Sequence, residues 1–261
     1  GNDSLVTISS QSTHILTNST ISTDSAFLGI AWAGSSSGIN ASVWIDAQTE
    51  LLATGMLIVD DSSVLGIGWS SAYSGNNFLF YVGDNAIWSL SNSSVVTGTG
   101  FVYIGWSAIR SGHNFSLLAG SATKWSVANV LILDNSGFFY MVWSNSYSGE
   151  SVMVSIGSQS LWAIDNTTID EYSLFFVVGW TADPQVVGGG NGIDIWLPQD
   201  IMVTKSSMVR ESGIWLVYSP PVRLSVVFSG SLLSLSSTMT TFIQVYMSIP
   251  QLHLSLDIAS L

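Results

Sequence analysis

The sequence contains no cysteine, which removes disulfides and thiolate metal sites from consideration. Only five residues are Lys or Arg, against 17 Asp or Glu, for a formal net charge of −12. Phosphate backbones are held by clustered cations, and here there are none to cluster, so nucleic acid is excluded as a partner. Hydrophobic residues make up 47% of the chain, yet no apolar run reaches the roughly 18 residues of a membrane span. No window long enough for a helix keeps a 3.6-residue hydrophobic period. Charged residues total 8% and mean hydropathy is +0.45, so an isolated molecule has to present Ser, Thr, Asn and apolar side chains to water. Exposed apolar area of that kind marks a partner or an assembly.

What is present is a repeat, and a repeat decides architecture before any local reading does. Trp32, Trp69, Trp106, Trp143 and Trp180 recur every 37 residues. Ser37-Gly38, Ser74-Gly75, Ser111-Gly112 and Ser148-Gly149 follow the first four at a fixed offset, and Trp88, Trp125 and Trp162 form a second series. The central unit reads as four short strands, over 101–106, 114–119, 124–127 and 130–133. Each is rich in aromatic or β-branched residues and ends at Gly, Ser, Asn or Asp. The pattern predicts one small antiparallel meander per unit.

Carried forward, the 37-residue ruler places a sixth position at Val217 and a seventh at Leu254. Carried backward, it puts 5–9, 14–16 and 20–21 in the second, third and fourth strand places, with His14 standing where Trp88 stands. A partial unit at each terminus is the pattern of a ring closed by strands from both ends. On these residues the chain resembles an all-β, seven-bladed β-propeller, one domain over 1–261 whose closing blade is shared by 1–26 and 251–261. No WD dipeptide, kelch glycine pair or Asp box narrows the resemblance to a family. A β-sandwich is the alternative. Small residues before most marker tryptophans (Ala31, Gly68, Gly105, Gly179) suit an innermost strand crowded around an axis, though Val142 and Leu216 break the rule.

Asn18, Asn40, Asn92, Asn114 and Asn166 each begin N-x-S/T, with Asn2 a sixth case, which makes them candidate N-glycosylation sites. With a first residue that is not Met, they point to an exported, extracellular or cell-surface protein. The five sequons fall in the first and third turns of the meander. Asp24, Asp46, Glu50, Asp60, Asp61, Asp84, Asp134, Asp170, Glu171, Asp194 and Glu211 fall in the second turn or the link between units. A disc with a decorated face and an acidic face is therefore expected. Asp46, Asp60, Asp61, Asp84, Asp134, Asp170 and Glu171 are the binding-face candidates, on the side that the propeller resemblance implies for ligands.

The chemistry is sparse. Paired acids such as Asp60-Asp61 and Asp170-Glu171 have the residue types of a hydrolase, but adjacent acids in a turn are more often solvated or accept backbone N–H groups, and no catalytic residue is assigned. His14, His113 and His253 fall in three different columns, so no zinc site is expected. Asp60-Asp61-Ser62-Ser63 and Asp134-Asn135-Ser136-Gly137 offer oxygen ligands for calcium, the one ion worth naming, although tight turns select the same residues. The stretch Gly188-Gly189-Gly190 after Asp183-Pro184 lacks the Lys-Ser/Thr of a phosphate loop and reads as a long turn. Pro220-Pro221 reads as a rigid hairpin connection.

Three functions fit. The first is a glycosylated, non-enzymatic structural or interaction protein that assembles with copies of itself into a surface filament or layer. The second is a lectin-like adhesin whose Trp columns or acidic face hold glycans or other surface proteins. The third is a secreted hydrolase.

Overall fold

The computed structural model describes residues 3–260 apart from 145–147, 150, 181–190, 198, 219–222, 236 and 247–250. Every regular element among the described residues is a β-strand. The first turn of the chain holds β1 (Leu5–Ile8), β2 (Thr13–Thr17), β3 (Thr20–Ile21) and β4 (Ala26–Trp32). The second holds β5 (Ser42–Ile45), β6 (Glu50–Thr54), β7 (Leu57–Val59) and β8 (Ser63–Trp69). In the third and fourth the middle strands run together: β9 (Leu79–Val82), β10 (Ile87–Val96), β11 (Gly100–Trp106), then β12 (Ser116–Ala119), β13 (Lys124–Leu133), β14 (Gly137–Trp143). The fifth holds β15 (Val152–Ile156), β16 (Ser160–Asp165), β17 (Thr168–Ile169) and β18 (Leu174–Trp180). Longer strands follow: β19 (Asn191–Leu197), β20 (Gln199–Thr204), β21 (Ser207–Tyr218), β22 (Arg223–Leu235), β23 (Thr238–Tyr246) and β24 (Gln251–Ser260).

These strands do not pair within a unit. Each pairs in parallel with its counterpart one repeat away: β4 with β8, β8 with β11, β11 with β14 and β14 with β18, so that Trp32, Trp69, Trp106, Trp143 and Trp180 stand in one register column. The architecture is a parallel β-solenoid with about five turns at the 37-residue period, and neither a seven-bladed propeller nor a β-sandwich. Parallel neighbours require a long crossover, and here the rest of each turn supplies it. The termini do not meet in a closing blade: β1, β2 and β3 pair with β5, β6 and β7, whereas β24 pairs with β22. The ruler also fails beyond Trp180. Gly179 stands opposite Tyr218, two residues later than a 37-residue step, and Tyr218 opposite Tyr246, nine residues sooner, so Val217 pairs with Val178 and Leu254 with Val226.

Stacking of like on like explains why the parallel arrangement wins. Successive indoles from Trp32 to Trp143 lie 4.9, 4.8 and 4.7 Å apart with planes within 6°. Phe101, Phe138 and Phe175 repeat at 4.9 and 5.0 Å. Trp88, Trp125 and Trp162 form a parallel pile inside the coil, where Trp125 meets Phe139 at 5.4 Å. Each such aromatic pair adds ~0.5–1.5 kcal/mol beyond the area it buries, and the repeat delivers several per turn.

The Ser-Gly pairs belong to the same pile. Gly75 and Gly112 have φ of +64° and +67°, and a Cβ there would lie 2.5 Å from Trp106 Nε1 and 2.4 Å from Trp143 Nε1. The turn is thus a lid on which the next indole rests, open only to glycine. The small residues before the marker tryptophans do not line a central axis. At Gly105 the ring of Tyr103 occupies the space a side chain would need.

Candidate functional site

A solenoid turns the repeated turns of the sequence into lines that run along the stack. The stretches after each marker Trp and those between the third and fourth strand places carry asparagine ladders. Asn40 Nδ2 donates to Asp3 Oδ1 at 2.9 Å, Asn77 to Asn40 Oδ1 at 2.8 Å and Asn114 to Asn77 Oδ1 at 2.8 Å. In the second line Asn129 donates to Asn92 Oδ1 at 3.2 Å and Asn166 to Asn129 Oδ1 at 2.6 Å. All of these asparagines, and Asn18, have φ between +44° and +57°, a left-handed conformation in which Asn is among the tolerated residues. The sequon asparagines Asn18, Asn40, Asn92, Asn114 and Asn166 are therefore exposed rungs; Asn2 lies outside the described residues.

The acidic candidates do not gather on one face. Asp46 and Asp84 sit in the turns before β6 and β10, and Asp84 Oδ1 accepts the Ser121 N–H at 2.7 Å. Asp60, Asp61, Asp134, Asp170 and Glu171 sit in the turns that lead into β8, β14 and β18. Asp60, Asp61, Asp134 and Glu171 all have φ of +55° to +57°, so residue type there answers first to the turn. Of the other acids, Glu50 starts β6, Asp194 lies in β19 and Glu211 in β21. Among the described residues no group of three or more His, Asp or Glu is placed to hold a metal ion. The loop around Gly188-Gly189-Gly190 and the Pro220-Pro221 pair lie outside the described residues.

Among the described residues a charged cluster centres on Arg210. The Arg210 guanidinium forks onto Asp170, with Nε 2.7 Å from Oδ1 and NH2 on Oδ2, and reaches Glu171 Oε1 at 3.0 Å. Hydrogen bonds from Arg210 hold the Asp170 carboxyl below the usual carboxylate range. Elsewhere Tyr103 of β11 and Tyr140 of β14 stack at 5.8 Å. Burial, with the neighbouring Tyr140 and Asp61 adding to it, pushes the Tyr103 phenol up to about 12, and burial also raises Tyr140.

Comparison with protein-family models, with curated proteins and with solved structures finds no match. The geometry therefore has to speak for itself, and it speaks against the tryptophan platforms. Trp69, Trp88, Trp106, Trp125, Trp143 and Trp162 are all within 2% of complete burial, leaving no face for a sugar to stack on. No helix among the described residues is long and apolar enough to cross a membrane.

Sequence reasoning missed the open first turn. Phe27 is 58% exposed and Leu28 36%, although their register equivalents Phe101 and Val102 are wholly buried. They line a small apolar mouth with Ile8, His14, Leu51 and Trp88. His14 heads the column that runs through Leu51 to Trp88, and its Nε2 is buried there without a hydrogen-bond partner. The signal was available: Phe27 and Leu28 occupy core columns in the first turn of the stack, where no further strand among the described residues covers them.

Proposed function

We propose that this chain is an extracellular, glycosylated structural protein that stacks end to end with copies of itself into a surface filament or layer. The observation that carries the reading is the matching strand edges at the two ends of the described stack. Among the described residues β1 to β4 pair only with the second turn, and at the other end β23 pairs only with β21 and β24 only with β22. Both edges run in the same parallel sense, so one end of a molecule is complementary to the opposite end of the next. A contact of that kind is heterologous and propagates without closing.

The columns support it. One column runs by register from Val6 through Val43, Phe80, Leu117, Val154 and Ile195 to Val226 and Leu254. Another runs from Leu28 through Leu65, Val102, Phe139, Phe176 and Trp215 to Ile243. Each is apolar at every step, so a second copy placed head to tail continues it.

Electron microscopy of the purified native protein tests the reading, with filaments or sheets expected. Replacing Phe27→Asp together with Leu28→Lys, at an edge already exposed, should leave single rods with unchanged circular dichroism. Wild-type protein that stays as separate rods at every concentration sinks the proposal.

A further inference from the structure

The sequons are in phase with the coil, and the phase is two turns long. In the ladder through Asp3, Asn40, Asn77 and Asn114, only Asn40 and Asn114 begin sequons; in the ladder line through Asn18, Gly55, Asn92, Asn129 and Asn166, only Asn18, Asn92 and Asn166 do. Apart from Asn2-Asp3-Ser4, whose asparagine lies outside the described residues, each of the first five turns carries one sequon, and successive turns place it alternately on the two lines.

What alternates is the residue two places on. Leu5, Ser42, Leu79, Ser116 and Met153 share one outer column, and Thr20, Leu57, Ser94, Leu131 and Thr168 share the other. Hydroxyl and large apolar residues take turns in both. The ladder itself does not ask for this, because Asn77 and Asn129 are sound rungs without a hydroxyl two places on. Nor does burial, because Leu5, Leu57, Leu131 and Met153 are all left 37% to 64% exposed.

We infer that Asn18, Asn40, Asn92, Asn114 and Asn166 carry N-linked oligosaccharides, one per turn on alternating edges, and that each sugar chain lies over the apolar residue of the neighbouring turn. The inference rests on the extracellular reading above and concerns the flanks of the rod, not its ends. Turns are about 4.8 Å apart, too close for sugars on adjacent rungs. Two turns, about 9.6 Å on the same spacing, give each its own room. The line through Asn92, Asn129 and Asn166 also borders a groove of about 450 Å³ with Leu57 and Leu131 in its wall. The pyranose ring has an apolar face, and a sugar anchored at Asn92 or Asn166 has Leu131 within its reach.

Attachment is compatible with the ladder. A primary amide has two N–H bonds, and the rungs at Asn40, Asn114 and Asn166 use one of them toward the preceding turn. In the transfer, Nδ2 forms a bond to the anomeric carbon of a sugar activated as a diphosphate ester. The carbon–oxygen bond to the diphosphate breaks, the diphosphate leaves with the bonding pair, and one amide proton is released.

Glycopeptide mass spectrometry on the native protein should find sugar on these five asparagines and none on Asn77 or Asn129. Absence of glycans at all five overturns the inference while leaving the filament test untouched, and a filament failure with occupied sequons does the reverse. The exposed change Leu131→Thr completes a sequon at Asn129. Sugar at Asn129 should then appear only on molecules lacking it at both Asn92 and Asn166. Occupancy of Asn129 together with either neighbouring rung overturns the spacing argument.

Discussion

At the scale of single residues, glycines that look alike in the sequence separate by what lies above them. Gly112 meets the indole nitrogen of Trp143 and has a positive φ, whereas a Cβ on Gly68 would find nothing within 4 Å. Gly112→Ala should therefore cost ~2–3 kcal/mol, from overpacking and a backbone conformation alanine avoids, while Gly68→Ala stays within about 0.5 kcal/mol. Urea unfolding of the two variants side by side checks the contrast. The Ser-Gly dipeptides were visible from their spacing. Their purpose was not, because the atom that forbids a side chain belongs to a residue in the following turn, Trp143 over Gly112 or Trp106 over Gly75.

At the scale of strands, the stacked tyrosines of β11 and β14 give a pH signature. The Tyr103 phenol is raised to about 12 in the folded chain and Tyr140 is raised as well, mainly by burial. The unfolded chain releases these protons near the ordinary tyrosine value of about 10, so the folded state holds more protons between the two values. Stability is then full below about pH 10 and falls as the pH rises toward 12, by on the order of 2 kcal/mol for Tyr103. Tyr103→Phe should flatten that alkaline limb of a chemical-denaturation series, and an unchanged limb would show that the burial is not felt. Strand positions were largely legible: the expected 101–106 and 114–119 segments correspond to β11 and β12, while the two expected strands 124–127 and 130–133 are one continuous strand, β13. Their partners were not, since alternation along a strand reads the same whether its neighbour is parallel or antiparallel. The clue lay in the identity of residues one repeat apart, Phe101 with Phe138 and Phe175 or Asn77 with Asn114. A propeller has no need of that sameness, and a stack profits from it at every step.

At the scale of the whole molecule, each turn touches only the turns before and after it, so stability sums nearest-neighbour terms. Removing residues 75–111, one full repeat, should leave a chain that folds with the same circular dichroism per residue and a lower midpoint of thermal unfolding. A ring with one blade removed would lose its closure, so loss of all structure in this variant would argue against the stack. The misreading of the ring came from the chain ends. Residues 1–26 and 251–261 each look like part of a unit, and seven repeats nearly exhaust the sequence, but β1 to β3 and β24 lie at opposite ends of the coil. The candidate site was half legible. The sequons and most of the acids were read as lying in different turns, but Asn92 falls within β10 and Glu50, Asp194 and Glu211 within β6, β19 and β21; the expected turns became lines along a rod, and the edge at Phe27 and Leu28 has no counterpart in a closed ring.

The two-turn phase of the asparagine lines limits how such a protein changes length over generations. Losing a single turn, such as the one that holds Asn77, brings Asn40 directly beneath Asn114 and sets two proposed attachment points on neighbouring rungs, whereas losing or copying a pair keeps every spacing intact. Inheritance should therefore add and subtract turns by twos, and related chains of different length should differ by even numbers of repeats.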